Sequence, residues 1–295
     1  MKQLVIISGK GGTGKTVLSA CFATLAENKV MADCDVDASN LHLLLDPDIQ
    51  EIHPFRAGKK AVLDPEKCNL CGSCIPVCRF MAISKQNEEI KIDSISCEGC
   101  QVCSYVCPVG AITMENNLSG EWYVSKTKYG PFVHARLGIA EENSGKLVTE
   151  VRKKSGEIAV KENLDFVIID GPPGIGCPVI ASLSGTNMAL VVTEPTLSGI
   201  HDMERVIKVA EHFRTETAVC INKYDINLAH SCRIEKWCEE RSIPVLGKIP
   251  FDEVVTEAVS QGMPLTEYVN NSLTREIKHI WLRICSLLEE KDRQE

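Results

Sequence analysis

The sequence predicts an α/β fold: a doubly wound, mostly parallel sheet with a smaller α+β module inserted into it. Three observations predict it. Short apolar runs rich in β-branched residues alternate with segments of helical periodicity, at 4–8, 30–35, 166–170, 188–193, 218–222 and 245–249. The first run leads directly into a glycine loop, Gly9-Lys10-Gly11-Gly12-Thr13-Gly14-Lys15-Thr16. The alternation is then interrupted by two four-cysteine runs of identical internal spacing.

The bulk composition bounds the classes. A chain of 295 residues can hold a sizeable core and two domains. Hydrophobic residues at 44% and charged residues at 24% are ordinary for a globular protein. The net charge of −8 argues against nucleic acid as a main partner. No apolar run reaches transmembrane length, and the short N-terminal apolar run enters the glycine loop at once, unlike a signal peptide. Cysteine is the outlier, with 15 residues. Without an export signal the expected compartment is reducing, where clustered cysteines point to metal rather than disulfides.

The apolar strand Leu4-Val5-Ile6-Ile7-Ser8 precedes the loop, and Val17, Leu18, Cys21, Phe22 and Leu25 follow at helical spacing. Glycines allow several N–H groups to face one concavity at a helix N-terminus, which is an anion site suited to a phosphate chain. Gly9 to Thr16 fits G-x-x-x-x-G-K-[ST]. In that pattern Lys15 reaches the β- and γ-phosphates and the Thr16 hydroxyl binds Mg²⁺.

The stretch from Lys10 to Thr16 resembles the deviant Walker A loop of the MinD/Mrp/ParA class of P-loop NTPases, which includes the nitrogenase iron protein. The resemblance implies nucleotide contacts from Gly11, Gly12, Thr13, Gly14, Lys15, Thr16 and Val17, and a Lys10 that reaches the other subunit's nucleotide across a dimer. Val17 departs from the class, which has a hydroxyl residue there, so only its backbone contact is carried over. The stretch Asp35-Val-Asp-Ala-Ser-Asn40 resembles switch I of the same class and places Asp35 beside the γ-phosphate, Mg²⁺ and attacking water. The alternative for Asp33, Asp35 and Asp37 is helix capping. Phe166-Val-Ile-Ile-Asp170-Gly171-Pro-Pro-Gly174 resembles the Walker B and switch II segment, which makes Asp170 an Mg²⁺ holder and the following segment a switch loop. Cys177 stands seven residues after Asp170, where the nitrogenase iron protein has a cluster ligand. No partner cysteine is evident, so an ordinary thiol is the favoured reading there. Asn222, at the end of its strand, resembles the adenine-reading asparagine of the class, and Pro250-Phe251-Asp252 its base-flanking loop, with Pro250 and Asp252 as contacts.

Between switch I and switch II the chain changes character. Asp46-Pro47-Asp48 reads as a turn and Ala57-Gly58-Lys59-Lys60 as irregular. Cys68-x-x-Cys71-x-x-Cys74-x-x-x-Cys78 repeats 29 residues later as Cys97-x-x-Cys100-x-x-Cys103-x-x-x-Cys107-Pro108. This matches the bacterial ferredoxin run for two [4Fe–4S] clusters, in which the fourth ligand of each run serves the other cluster. That match implies Cys68, Cys71, Cys74 and Cys107 on one cluster, and Cys78, Cys97, Cys100 and Cys103 on the second. A pair of zinc sites is the rival, disfavoured because the two runs are four-cysteine copies of one spacing. Arg79 stands where such ferredoxins have proline after the last ligand. Ala82-Ile83 and Ala111-Ile112 follow the runs at matching positions and are expected to cover the clusters. The strand-like stretch 118–156 reads as the return to the sheet, with Asn143 in it and a helix opening at Ser144-Gly145-Lys146. His134 reads as a structurally satisfied histidine. A final helix places Ile277, Ile280, Trp281, Ile284 and Leu288 on one face, followed by a short charged tail.

The chain therefore resembles MinD-superfamily ATPases with an inserted ferredoxin domain: residues 1–55 and 120–295 as the ATPase domain, residues 56–119 as the ferredoxin. The resemblance implies Mg-dependent ATP hydrolysis with Lys10, Lys15 and Asp35 as catalytic residues. It also implies ATP or ADP, Mg²⁺ held by Thr16, Asp35 and Asp170, and two [4Fe–4S] clusters as cofactors. A cytoplasmic homodimer, or a heterodimer with a paralogue, acting on a redox or iron–sulfur client and on neither nucleic acid nor membrane, is expected. Electron transfer is the leading expectation. The alternatives are an iron–sulfur assembly or carrier protein of the Mrp kind, and a nucleotide-responsive positioning protein.

Overall fold

The computed structural model describes residues 1–141 and 144–292, so Asn143 and the last residues of the charged tail lie outside the description. The chain divides into two compact units. The first comprises Met1–His53, Trp122–Arg136 and Ser144–Glu295; the second comprises Pro54–Glu121 and Leu137–Asn143.

The strands are β1 (Lys2–Ser8), β2 (Lys29–Asp33), β3 (Asp48–Leu63), β4 (Ile83–Gln86), β5 (Glu89–Ile92), β6 (Ile112–Thr127), β7 (Gly130–Leu137), β8 (Phe166–Pro173), β9 (Met188–Thr193), β10 (Glu216–Asn222) and β11 (Val245–Ile249). The helices are α1 (Lys15–Leu25), α2 (His42–Leu45), α3 (Val102–Val106), α4 (Ser144–Lys161), α5 (Cys177–Leu183), α6 (Leu197–His212), α7 (Leu228–Glu239), α8 (Val254–Ser260), α9 (Leu265–Tyr268) and α10 (Ser272–Asp292).

Among the described residues the main sheet has nine strands in the order β11-β10-β9-β1-β8-β2-β7-β6-β3. From β11 to β7 every pairing is parallel. Parallel strands need crossover connections, and helices supply them, so β1, β8 and β9 are buried on both faces and read as continuous apolar runs. Leu4 and Ile6 of β1 join a core with Phe22 of α1 and Ile277, Ile280 and Ile284 of α10. Val5 and Ile7 are equally buried, and the period of two turns them to the opposite face. Trp281 closes the first core, with ring centroids 5.3 Å from Phe22 and 5.5 Å from Phe166.

Two expectations are corrected here. The sequence reads as irregular near Ala57–Lys60, yet β3 runs through this segment as part of a 16-residue strand. Its neighbour β6 is far away in sequence, and Ser119 of β6 donates its hydroxyl to the Ala57 carbonyl at 2.7 Å. Long-range pairing therefore overrides weak local propensity. The segment after Asp170 reads as a loop, yet β8 continues to Pro173, with a register shift against β1 between Ile6 and Ser8. Gly171 makes this continuation possible. A Cβ there would stand 2.6 Å from Ile7 Cγ2 and 2.8 Å from the Ile6 carbonyl oxygen.

The second unit is a two-fold copy of itself. The 29-residue repeat is reproduced by the backbone: Leu70 and Gly99 have φ of 58° and 63°, Gly72 and Gln101 74° and 68°, Met81 and Gly110 53° and 62°. Turn hydrogen bonds match as well, with Ile75 N–H to Gly72 O and Ser104 N–H to Gln101 O both at 3.0 Å. The halves are tied reciprocally. Asp64 N–H donates to Ala111 O and Asp93 N–H to Ala82 O, each at 2.8 Å. A two-stranded sheet, β4 with β5, turns at Asn87 and Glu88, both in the left-handed region that such hairpin turns demand. The core contains Ala82, Ile83, Ile90, Ile112, Cys74, Cys97 and Cys103. Residues 137–141, read from sequence as part of the return to the sheet, belong to this unit. Glu141 anchors them by pairing with Lys60 at 3.8 Å and accepting from the Asn117 amide at 2.5 Å.

Candidate functional site

The first constellation sits at the C-terminal ends of β1, β2 and β8. The loop after β1 turns through Gly12 (φ 78°) and Gly14 (φ 91°) into α1. Gly14 is the N-cap, and no side chain caps this helix, so its first N–H groups are free to receive a ligand. Side chains built on Gly11 or Gly12 would meet nothing within 4 Å, which marks an open concavity along the loop. Thr13 is buried, and its hydroxyl has no hydrogen-bond partner. An open cradle with an orphaned hydroxyl and bare helix N–H groups fits a phosphate chain.

Lys15 is buried at the start of α1, and its charge opposes the upward push of burial on both Asp170 and Asp35. Asp170 ends the apolar run of β8, fully buried, and burial pushes its carboxyl up to about 6 against the pull of Lys15 and the hydrogen bonds from Thr16 and Ser19. Burial also raises Asp35. Hard oxygen donors from Thr16, Asp35 and Asp170 beside a phosphate cradle suit Mg²⁺, which uses one or two carboxylates with phosphates and water. Among the described residues, no three His, Cys, Asp or Glu side chains alone form a metal-holding group.

Asp33 has a different task. It pairs in register with Asp170 across β2 and β8, and burial and that neighbour raise it well above the ordinary carboxylate range. Its carboxylate accepts from Asp35 N–H at 3.1 Å, the Ser39 hydroxyl at 2.7 Å and Leu41 N–H at 3.3 Å. Asp33 thus shapes the loop that presents Asp35. Asp37 is exposed.

A cavity of about 230 Å³ opens beside the loop, bordered by Gly14, Val17, Asn222, Pro250 and Asp252, enough for one heterocyclic base. The Asn222 amide nitrogen donates to Thr13 O at 2.8 Å, and its oxygen accepts from Lys223 N–H at 3.0 Å. Asn222 therefore braces the loop as well as lining the cavity. Asp252 also accepts from Val254 N–H at 3.0 Å at the start of α8.

Sequence reasoning missed four residues here. The Ser19 hydroxyl donates to Asp170 at 2.9 Å. It lies three residues after Thr16 on one helix face, a spacing that was readable. Asp225 accepts from Phe251 N–H at 2.7 Å and so fixes the cavity's outer loop. Glu194 pairs with Lys10 at 3.3 Å and with Lys223 at 2.5 Å. Lys223 was readable only as the neighbour of Asn222. Lys10 is thus found on its own chain's Glu194. His134 is buried, hydrogen-bonded to Ser125 at 3.1 Å and stacked on Phe132 at 4.6 Å, as a structural histidine. Cys177 is exposed at the start of α5, with Gly145 of α4 packed so close that a Cβ there would stand 3.1 Å from Cys177 Cβ.

The second constellation is in the second unit. Cys78, Cys97, Cys100 and Cys103 line one hollow, walled by Ala82, Ile83 and Met114. Burial raises the Cys103 thiol, and the nearby Cys97 and Cys100 add to it. Burial raises Cys74 too, with Cys71, Cys107 and Cys68 as the neighbouring thiols that act on it. Cys71 is lowered by its hydrogen bond with Ser73. Cys97 Sγ accepts from Ala61 N–H at 3.4 Å and Cys107 Sγ from Ala111 N–H at 3.2 Å. The eight thiols thus fall into two neighbourhoods, and two of them receive backbone N–H bonds; among the described residues no three of them stand close enough to hold a single metal ion.

Comparison with known proteins finds a nucleotide-binding family. The family described as the CobQ/CobB/MinD/ParA nucleotide binding domain matches residues 4–265. The "Uncharacterized protein MJ0578" of Methanocaldococcus jannaschii is 31% identical over 286 residues, covering 96% of each chain. The septum site-determining protein MinD of Bacillus subtilis is 23% identical over 292 residues, covering 96% of this chain and 88% of that protein. Among solved structures, Pyrococcus horikoshii MinD complexed with Mg-ADP superposes with a TM-score of 0.60 at 19% identity, covering 97% of this chain and 96% of that one. At that identity the likeness shows the fold alone.

Proposed function

The chain belongs to the CobQ/CobB/MinD/ParA nucleotide-binding domain family, and from that premise we propose that it is a P-loop ATPase coupling nucleotide state to electron transfer through two [4Fe–4S] clusters. The ATPase half follows from the family and from the cradle. The amides of Gly11 to Thr16 and the Lys15 ammonium receive the phosphates, and Thr16, Asp35 and Asp170 hold Mg²⁺. Asp35, presented by the Asp33-braced loop, orients the attacking water. Asn222, Pro250 and Asp252 border the base.

The iron–sulfur half rests above all on one observation. The two repeats of the second unit exchange hydrogen bonds reciprocally, Asp64 to Ala111 and Asp93 to Ala82, while the cysteines gather as 78, 97, 100, 103 and as 68, 71, 74, 107. Each set takes three cysteines from one run and the fourth from the other, as two-cluster ligation requires. A cubane cluster holds its four thiolates further apart than a single ion does, so a compact metal-holding group is not what such a site needs. Bound clusters supply one-electron redox chemistry. The chain's own contribution is to ligate them, bury them under Ala82, Ile83 and Ile112, and tune them through N–H bonds to sulfur. The working form in this reading is a dimer, of two copies or with a paralogue, that serves a redox client. We assign residues 56–119 to the ferredoxin domain.

One observation favours a second reading as a cluster carrier: Cys177 is exposed beside Gly145. A single experiment separates the two. Anaerobically purified protein is expected to carry about eight irons per chain. ATP and an apo-acceptor are then added. Reoxidation with iron retained supports electron transfer; iron arriving on the acceptor, abolished by Cys177→Ser, supports the carrier. Iron-free anaerobic protein that binds no iron on reconstitution would overturn both. No described helix is long and apolar enough to cross a membrane.

A further inference from the structure

The loop's lysines are divided among carboxylates in an uneven way. Lys15 faces Asp170 and Asp35, whereas Lys10 and Lys223 share Glu194. Glu194 is not a mobile surface acid. Its side chain is only 12% exposed. Its backbone is pinned where β9 enters α6. Thr196 N–H donates to Glu194 O at 2.8 Å, and the buried Thr193 hydroxyl donates to Gly199 O at 3.0 Å. A Cβ on Gly199 would stand 2.3 Å from Glu194 O, so α6 approaches closely only because that residue is glycine. The carboxylate is therefore pre-positioned between two ammonium groups.

The two pairs differ. Lys223 approaches Glu194 to 2.5 Å and also donates to Gly12 O at 3.4 Å. Lys10 makes the longer contact, 3.3 Å, and its backbone carbonyl is held by the Ser8 hydroxyl at 2.6 Å. A triphosphate landing on Gly11–Thr16 brings several negative charges beside both lysines and competes with one carboxylate. The longer pair yields first, since Lys223 keeps two partners.

We propose that Glu194 is a positioning residue that parks Lys10 on its own chain until phosphates displace it. Glu194 thereby sets the nucleotide threshold at which Lys10 becomes available to a facing subunit. The second statement rests on the dimeric ATPase reading above; the first does not.

The test uses the full chain with amine-selective acetylation read by mass spectrometry, and Lys85 as an exposed control. Without nucleotide, Lys10 in Glu194→Gln is expected to label at least about threefold faster than in the native chain, with Lys85 unchanged. Glu194→Asp, which keeps the charge but shortens the reach, is expected to fall between them and serves if the glutamine variant folds poorly. With a non-hydrolysable ATP analogue, Glu194→Gln is expected to self-associate at about fivefold lower protein concentration, and with ATP itself the rise of ATPase rate with protein concentration should move in parallel. Both shifts should vanish in a Lys10→Gln background. Unchanged Lys10 labelling in both Glu194 variants overturns the proposal, as does a Glu194→Gln shift that persists without Lys10. If the native chain stays monomeric with the analogue at all concentrations, the dimer reading fails, and the labelling arm still decides whether Lys10 is parked.

Discussion

At the scale of single residues, Asp170 carries the sharpest expectation. Mg²⁺ binds a carboxylate, and a proton competes for it. Because burial lifts Asp170 to about 6, acidification through that value protonates it in the empty site. Mg-dependent binding of a fluorescent ATP analogue is therefore expected to weaken as pH falls from 7 to 5, and Asp170→Asn should remove most of the pH dependence along with the affinity. Ser19 belongs to the same set. Ser19→Ala removes a hydrogen bond to a buried carboxylate, worth about 1.5–3 kcal/mol, so its Mg²⁺ midpoint should rise and its pH midpoint move upward. A Ser19 remote from the metal in function would leave both midpoints unmoved. Asp33 shows why residue type alone misleads. Three aspartates within five positions are equivalent in sequence, yet Asp33 braces a loop, Asp35 faces Lys15 and Asp37 is exposed.

At the scale of elements, β7 is expected to show its histidine in the pH dependence of stability. Burial pushes His134 down to about 4, below the ordinary 6.5. Between those values the unfolded chain binds more protons than the folded one, so stability falls as pH is lowered from about 6.5 to about 4. The loss is at most about 3 kcal/mol for a shift of this size. Asp170, raised to about 6, shifts stability the opposite way over part of this window, so the loss should appear in urea unfolding from pH 8 to 4 as a difference between the native chain and His134→Phe, the native chain losing more as pH falls. In the second unit, Gly99 lies at φ 63°, and a Cβ there would stand 2.0 Å from Lys59 O, whereas a Cβ on Gly110, at φ 62°, would meet nothing within 4 Å. Gly110→Ala meets only the backbone penalty of about 1 kcal/mol. Gly99→Ala must also displace β3, so it is expected to lose iron on anaerobic purification while Gly110→Ala retains it.

At the scale of the whole molecule, the two cysteine sets make a prediction about independence. Cys68→Ser and Cys97→Ser each remove one ligand from a different set. Each is expected to leave about half the iron, with the reduced-state EPR of one cluster lost. Loss of all iron from either single variant would mean that the reciprocal hydrogen bonds, rather than separate ligation, hold the second unit together. Glu194 and Lys223 belong to this scale as well. They lie 29 residues apart, just after β9 and β10, and only the parallel pairing of those strands brings them to the loop after β1.

Spacing determined much of this protein directly. The glycine loop, the acid-ended strands and the paired cysteine runs are local patterns, and a local pattern survives in sequence because each residue acts through neighbours a few positions away. Register and approach distance are different quantities. That β3 continues through Ala57–Lys60, that β8 extends past Gly171, that residues 137–141 join the second unit, and that Lys10 rests on Glu194 all depend on partners dozens to hundreds of residues away. Those partners meet only after the chain has collapsed into its sheet, so tertiary structure alone decided them.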